Sequence, residues 1–249
     1  MAKYEVYLTD SLGFIIDAID DWFSLSYTRA LNDIGSLELI LNGDYPTSYL
    51  KTDGRILVYR DGRLENDGPW LIRKTVKRIP RDGAKTITVY ALGANQILST
   101  RIAAYFSGAS QVSVTDYADN LMKFVVRTNL GSSASDSNRD LSSYLSVESD
   151  ASYGPLLSKS FARDNVLDIL TEISQSSITA GSAVYFDMVS TDASGLGFRT
   201  YNTLRGIDHR FPNGINPVVL SPERGNLVDV EVSFDRSREY TYVYAGGQG

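Results

Sequence analysis

Apolar and polar residues alternate with a period of two where the chain begins. Between Lys3 and Thr9, Tyr4, Val6 and Leu8 fall on one side and Lys3, Glu5 and Thr9 on the other, the signature of a half-buried strand. Leu37, Leu39 and Leu41 repeat it after Gly35, and Arg55–Arg60 is a more continuous apolar run. Asp53-Gly54, Asp61-Gly62, Asp67-Gly68 and Asp82-Gly83 mark tight turns, because both residue types tolerate positive φ. Trp70–Ile79, the turn at Pro80–Gly83 and Lys85–Ala91 read as one long hairpin. Its first strand carries charge on both faces, which a strand central to a core cannot do, so the distal half is expected to protrude into solvent or onto a neighbouring subunit.

The period changes after residue 93. Tyr117, Leu121, Phe124 and Val125 fall at helical spacing behind Thr115 as N-cap, with Asp119 four residues before Lys123 as a favourable helical pair. This predicts a helix near 115–130. Val166, Leu167, Leu170 and Ile173 predict a second near 164–176. The polar segment 131–138 between them has almost nothing to bury and reads as a mobile loop. Strands resume at Ala183–Val189 and Gly197–Tyr201. Val228, Val230, Val232 and Phe234 then alternate with Asp229, Glu231, Ser233 and Asp235, and Tyr240, Tyr242 and Tyr244 follow as a pairing partner. A glycine-rich end at 246–249 directly after so regular a pattern suggests that the polypeptide belongs to a longer one.

The class is therefore mainly β, an α+β chain with two amphipathic helices in the middle. At 249 residues and 43% hydrophobic it can form one large or two modest cores. It has no cysteine, which removes disulfides, thiolate metal sites and cysteine nucleophiles, and a single histidine, His209, too few for a multi-histidine metal site. The net charge of −6 is unevenly spread: residues 1–50 carry eight acids against two bases, and residues 51–101 eleven bases against five acids. The basic excess peaks in Arg73, Lys74, Lys77, Arg78, Arg81 and Lys85. A nucleic-acid patch is one reading of that cluster, and a solvated hairpin docking on an acidic neighbour is the stronger one. Sixteen tyrosines against nine phenylalanines suit interfaces, where the ring buries area and the hydroxyl finds a partner.

Catalytic constellations are nearly absent. There is no phosphate-binding glycine loop, no nucleophile elbow and no zinc-protease motif. Asp17, Asp20 and Asp21 beside Trp22 bring a glycosidase pair to mind, but acids packed beside a strand start are more often turn residues. Asp208 stands next to His209 with no serine or metal partner within argument from spacing. No catalytic, metal or cofactor-binding residue is therefore assigned.

Tyr7–Gly13, Phe23–Arg29 and Asn32-Asp-Ile-Gly-Ser-Leu-Glu-Leu39 resemble the N-terminus of siphophage tail-hub proteins, and Leu196–Tyr201, Gly225–Leu227 and Tyr242–Gly249 resemble later segments of that family. The resemblance implies two tube-like β-barrel modules in a hub-like arrangement. The first would take residues 1–100 and about 222–249, with 101–221 inserted as the second. It also implies a homotrimeric ring at the virion tail tip, made in the host cytoplasm, which adapts a hexameric tail tube to three-fold components. Implied partners are the tail tube or distal tail ring, tail fibre or tip proteins, the tape measure protein, and DNA in transit through the lumen. On this view the basic hairpin lies against an acidic neighbouring surface, and acidic sheet faces such as that of 228–235 line the channel. A tail-tip cell-wall hydrolase and a receptor- or carbohydrate-binding module stand as the alternatives.

Overall fold

In the computed structural model, which describes residues 3–65, 68–81, 83–104, 110–203, 217, 219–225, 227 and 231–234, residues 4–92 build one antiparallel sheet. Its strands are β1 (Tyr4–Thr9), β2 (Ile15–Ile19), β3 (Trp22–Thr28), β4 (Ser36–Asn42), β5 (Arg55–Arg60), β6 (Arg63–Leu64), β7 (Trp70–Arg78) and β8 (Thr86–Leu92). The order is β2-β1-β5-β7-β8-β4-β3, with the short β6 paired to β5 through the positive-φ turn Asp61-Gly62. The strands predicted at 3–9, 37–41, 55–60, 70–79 and 85–91 are all present.

The two ends of that order, β2 and β3, are consecutive in sequence and joined only by Asp20 and Asp21. A two-residue link holds Ile19 and Trp22 within about 11 Å, whereas a flat sheet of this order would put its edges about 29 Å apart. The sheet must therefore curl round on itself. Every pairing along it is antiparallel, so β2 and β3 run the same way. They are successive lengths of one bent strand, the first hydrogen-bonded to β1 and the second to β4. Counted so, six strands ring a core of Val6, Leu8, Leu39, Ile56, Trp70 and Val89, with further leucines and isoleucines around them. Period-two alternation supplies this core without exception on β4 and β8, where Leu37, Leu39, Leu41, Ile87, Val89 and Ala91 all point inward.

Residues 94–198 build a second core. After the short helix α1 (Gln96–Ser99), β9 (Val112–Tyr117) and β11 (Leu156–Phe161) form a two-stranded ribbon. β10 (Leu145–Val147), β13 (Leu196–Tyr201) and β12 (Tyr185–Ser190) form a three-stranded sheet in the order β10-β13-β12. Helices α2 (Ala118–Leu130) and α3 (Val166–Thr179) pack against both, burying Leu121, Val125, Val126, Leu170 and Ile173 completely. Both helices match their predicted stripes, but the start of the first differs. Thr115 lies in β9, where its hydroxyl donates to Ser158 Oγ at 2.9 Å, and the exposed Tyr117 stands outside the apolar stripe. Asn165 caps α3 by accepting from the Leu167 amide. The polar segment 131–138 carries local order: Asp136 Oδ1 accepts from the Asn138 amide at the head of a 3-10 turn over Ser137–Arg139.

The two cores share one compact unit, Met1–Leu204. Asn32, in the left-handed region at φ 56°, donates from Nδ2 to Ser174 Oγ of α3 at 2.8 Å and accepts at Oδ1 from the Phe186 amide of β12 at 2.9 Å. Asn95 donates to Asp33 O and accepts from the Met188 amide. Arg55, only 3% exposed, donates to Ser194 O and Ser11 O and lies 5.5 Å over the Tyr144 ring. Burial lowers its pKa from the ordinary arginine value, but the guanidinium stays charged. The turn between β1 and β2 touches the β12–β13 turn at Gly13, whose φ is +93° and whose missing Cβ would sit 2.3 Å from Ser194 Cα. Gly13→Ala meets both a backbone clash and a strained φ, so an expected loss of about 1–3 kcal/mol should appear in thermal denaturation.

Arg205–Gly249 form the second unit, of which the described part includes a 3-10 turn over Pro222–Arg224 closed by Gly225 at φ +64°. The strand predicted over 228–234 is not present at Glu231–Phe234, where Val232 and Phe234 are exposed and no strand forms. Its remainder, His209, Tyr240–Tyr244 and the glycine-rich end lie outside the described residues.

Candidate functional site

The basic residues singled out in sequence fall on the β7–β8 hairpin, and the structure divides them. β8 is paired on both sides, to β7 and, through Asn42↔Thr86, to β4 along its whole length. The hairpin thus stays in the ring through β8, and β7 becomes an edge over the distal half that was expected to protrude. β7 pairs with β5 only through Trp70 and Leu71, and a bulge between Ile72 and Lys74 then turns it away. From Lys74 to Arg78 its outer edge carries no backbone pairing among the described residues. Arg73 is paired with Asp53. Lys74, opposite Tyr90 on the outer face of the ring, stacks over that ring at 5.6 Å. Lys77 sits opposite Ile87 on the inward face, at the mouth of the ring, and Arg78 opposite Thr86 on the outer one. Lys85 lies 3.8 Å from Asp44. Lys77, Arg78 and the turn residue Arg81 have no ion-pair partner among the described residues. Val76 and Ile79 are exposed alongside them at 39% and 65%.

Sequence reasoning missed a second edge, on β2. Among the described residues it pairs with β1 alone, and Phe14, Ile15 and Ile16 are exposed at 70%, 59% and 38%. The only signal was an apolar triplet with no alternation next to three aspartates. Those aspartates do structural work. Asp17 Oδ2 accepts from Tyr45 Oη at 2.8 Å, and burial followed by that bond raises the tyrosine pKa, keeping it protonated. Asp21 accepts from Asn42 Nδ2 at 3.2 Å, and Asp20 is exposed at the bend. No two of them face each other across a cleft.

Between β3 and the start of β1 the ring has a seam, an open groove of about 430 Å³ lined by Tyr4, Trp22, Leu25, Ser26 and Tyr27. A smaller groove of about 180 Å³ beside α3 carries Asp164, Asp168 and Glu172, the last held by Lys159 at 2.6 Å. Among the described residues there is no cluster able to hold a metal ion and no helix long and apolar enough to cross a membrane.

The most strongly bound charges are inside the second core. Asp119 and Lys123, predicted as a helical pair, are 0% and 1% exposed and 2.7 Å apart. Asp119 also accepts from Thr200 Oγ1 and the Ala151 amide, while Lys123 donates to Ser149 O. Burial pushes the Asp119 pKa up, and the bonds from Lys123, Thr200 and Ala151 together outweigh it, leaving the carboxyl below the usual carboxylate range. Asp119 thus meets three donors and Lys123 two acceptors, which makes the pair a structural tie between α2, the loop before β11 and β13.

A ring of strands with exposed apolar edges, no clefted acid pair and an Asn32–Gly35 loop used as a joint agrees with what the ends of the sequence resemble. The family model described as Siphovirus ReqiPepy6 Gp37-like protein matches residues 5–249. The chain belongs to that family. The expected membership of a siphophage family thus extends over nearly the whole chain, the helical middle included. No curated protein matches this siphovirus chain. Among solved structures it is similar to the tail protein from Neisseria meningitidis MC58, at 12% identity and TM-score 0.46, over 78% of this chain and 50% of that one. It is also similar to the 43 kDa tail protein of prophage MuSo2 from Shewanella oneidensis, at 13% and 0.47 over 79% and 54%. A third is the E. coli c3393 protein, a type VI secretion component described as similar to T4 tail proteins gp27 and gp5, at 7% and 0.41 over 84% and 48%. This family member spans about half the length of each of these structures.

Proposed function

We propose that this siphovirus protein is a structural, non-enzymatic part of the phage tail. It forms the hub ring at the tail tip as a homotrimer, adapts a six-fold tube to three-fold tip components, and leaves a lumen through which DNA exits. The observation that carries this reading is residues 4–92, a curled antiparallel sheet whose two ends are joined through the Asp20–Asp21 bend, with exposed apolar edges that are unpaired among the described residues. Such edges suit a protein built to be covered by neighbours. The tail tube or distal ring, tip or fibre proteins and the tape measure protein are the neighbours this role calls for. The carboxylates nearest to a catalytic pattern, Asp17 and Asp21, are occupied by Tyr45 and Asn42, which supports assembly over hydrolysis.

Electron microscopy of phage tails labelled with an antibody to this chain tests the reading. The label is expected at the tail tip, with three copies around a central pore in averaged images. Label on the capsid or tube wall, absence from the particle, or measurable cell-wall lysis by the purified chain would overturn it.

A further inference from the structure

Two edges of the ring face outward without a backbone partner among the described residues, β7 from Lys74 to Arg78 and β2 from Ile15 to Ile19. The remaining edge of the sheet order, that of β3, borders the ring's own seam, whose groove Tyr27 and Tyr4 line together. We infer that the β7 edge of one copy pairs with the β2 edge of the next, so that copies join head to tail through a continuous antiparallel sheet. This rests on the reading of the chain as a ring-forming tail component and names the surfaces that form the ring.

Three features converge on it. With β2–β3 taken as one strand, β7 and β2 are three strands apart in either direction around the ring, so they lie on opposite sides. They run in opposite directions, because every intervening pairing is antiparallel. Rotation about an axis along the strands preserves direction, so β7 of one copy meets β2 of the next antiparallel, the favoured ladder.

The chemistry of the two edges is complementary. β7 offers Lys74, Lys77 and Arg78 around the exposed Val76, with Ile79 beyond, and β2 offers Phe14, Ile15 and Ile16 beside the exposed Asp20 and Asp21. Apolar side chains meet apolar side chains, and opposite charges flank them. Neither edge can pair with its own kind in a second copy without juxtaposing like charges.

The absence of cysteine makes the test direct. Val76→Cys is combined with Ile16→Cys or Ala18→Cys, all on the outer face of their strands, and purified phage particles are treated with a short bis-maleimide. The expected result is a ladder of chain multimers, ending at the ring number, for a double variant and for neither single one. A dimer from Val76→Cys alone, or no multimer although the chain is present in the particles, overturns the head-to-tail pairing and leaves the tail assignment standing. Absence of the wild-type chain from particles overturns the assignment and, with it, the inference. Reversal of Lys74, Lys77 and Arg78 to Glu, or of Asp20 and Asp21 to Lys, is expected to abolish the ladder, and combining both sets in one chain to restore it. A ladder that survives either reversal, or is not restored by the combination, refutes the charge matching.

Discussion

Replacing Lys123 by methionine is expected to cost about 3–5 kcal/mol, because it leaves the Asp119 carboxylate buried without its counter-charge. For a unit of this size that lowers Tm by roughly 10 °C. The loss is greater than a surface helical pair would suggest, since exposed pairs four residues apart contribute about 0.3–0.5 kcal/mol. Swapping Asp119 and Lys123 together for Leu and Met does not restore the wild type, because the Ala151 amide and Thr200 hydroxyl then lose their acceptor. The pH dependence separates this account from simple loss of packing. The folded-state pKa of Asp119 lies below its unfolded value, so its contribution is fully present above the unfolded pKa of about 4 and is lost as pH falls through the folded one. In Lys123→Met the burial is no longer opposed by the ammonium, Asp119 takes up a proton more readily, and the deficit relative to wild type should shrink in acid. Urea denaturation at pH 7 and pH 4.5 measures this, and an equal deficit at both values would contradict it.

How much of this could be read from the sequence follows from the kind of signal each element carries. β1, β4 and β8 were legible because one face is buried and the other wet, so alternation reports burial directly. β2 and β3 were not, because β2 exposes adjacent isoleucines and β3 carries a bulge after Trp22 that breaks its register. The helix stripes reported the second core well, but the boundary at Thr115 failed because Val112–Tyr117 is a strand leading straight into α2. Asp119–Lys123 appeared as a spacing, and nothing in that spacing distinguishes a solvated pair from one sealed under Thr200, which is 81 residues away. The basic cluster was visible as composition, yet its division between a bulge, two faces and a turn depends on pairing with β8. The β2 edge became meaningful only once the strand order showed it opposite β7.

The Asn32 joint offers the second large effect. Asn32→Ala removes the acceptor for the Phe186 amide and the donor to Ser174, at about 1 kcal/mol for each bond, with a further 1–3 kcal/mol for leaving a buried amide unsatisfied. Alanine also tolerates φ 56° poorly. The expected cost is about 3–5 kcal/mol, and Asn32→Gly should recover the part due to backbone strain. Asn32→Asp keeps the acceptor but fails at Ser174, whose hydroxyl proton is already committed to Val184 O at 2.7 Å. The location of the joint predicts how the loss will appear. Both tryptophans, Trp22 and Trp70, belong to the first ring, whereas α2 and α3 belong to the second core. Asn32 ties the β3–β4 loop of the ring to α3 and β12 without contributing to the core of either half. Its loss should uncouple them, so that helical circular dichroism melts at a lower temperature than tryptophan fluorescence in Asn32→Ala, while the two coincide in the wild type. Coincident transitions in the variant would mean that the remaining contacts between the halves, those of Arg55 and Asn95 among them, suffice to hold them together, and that the Asn32 side chain acts only within its own loop.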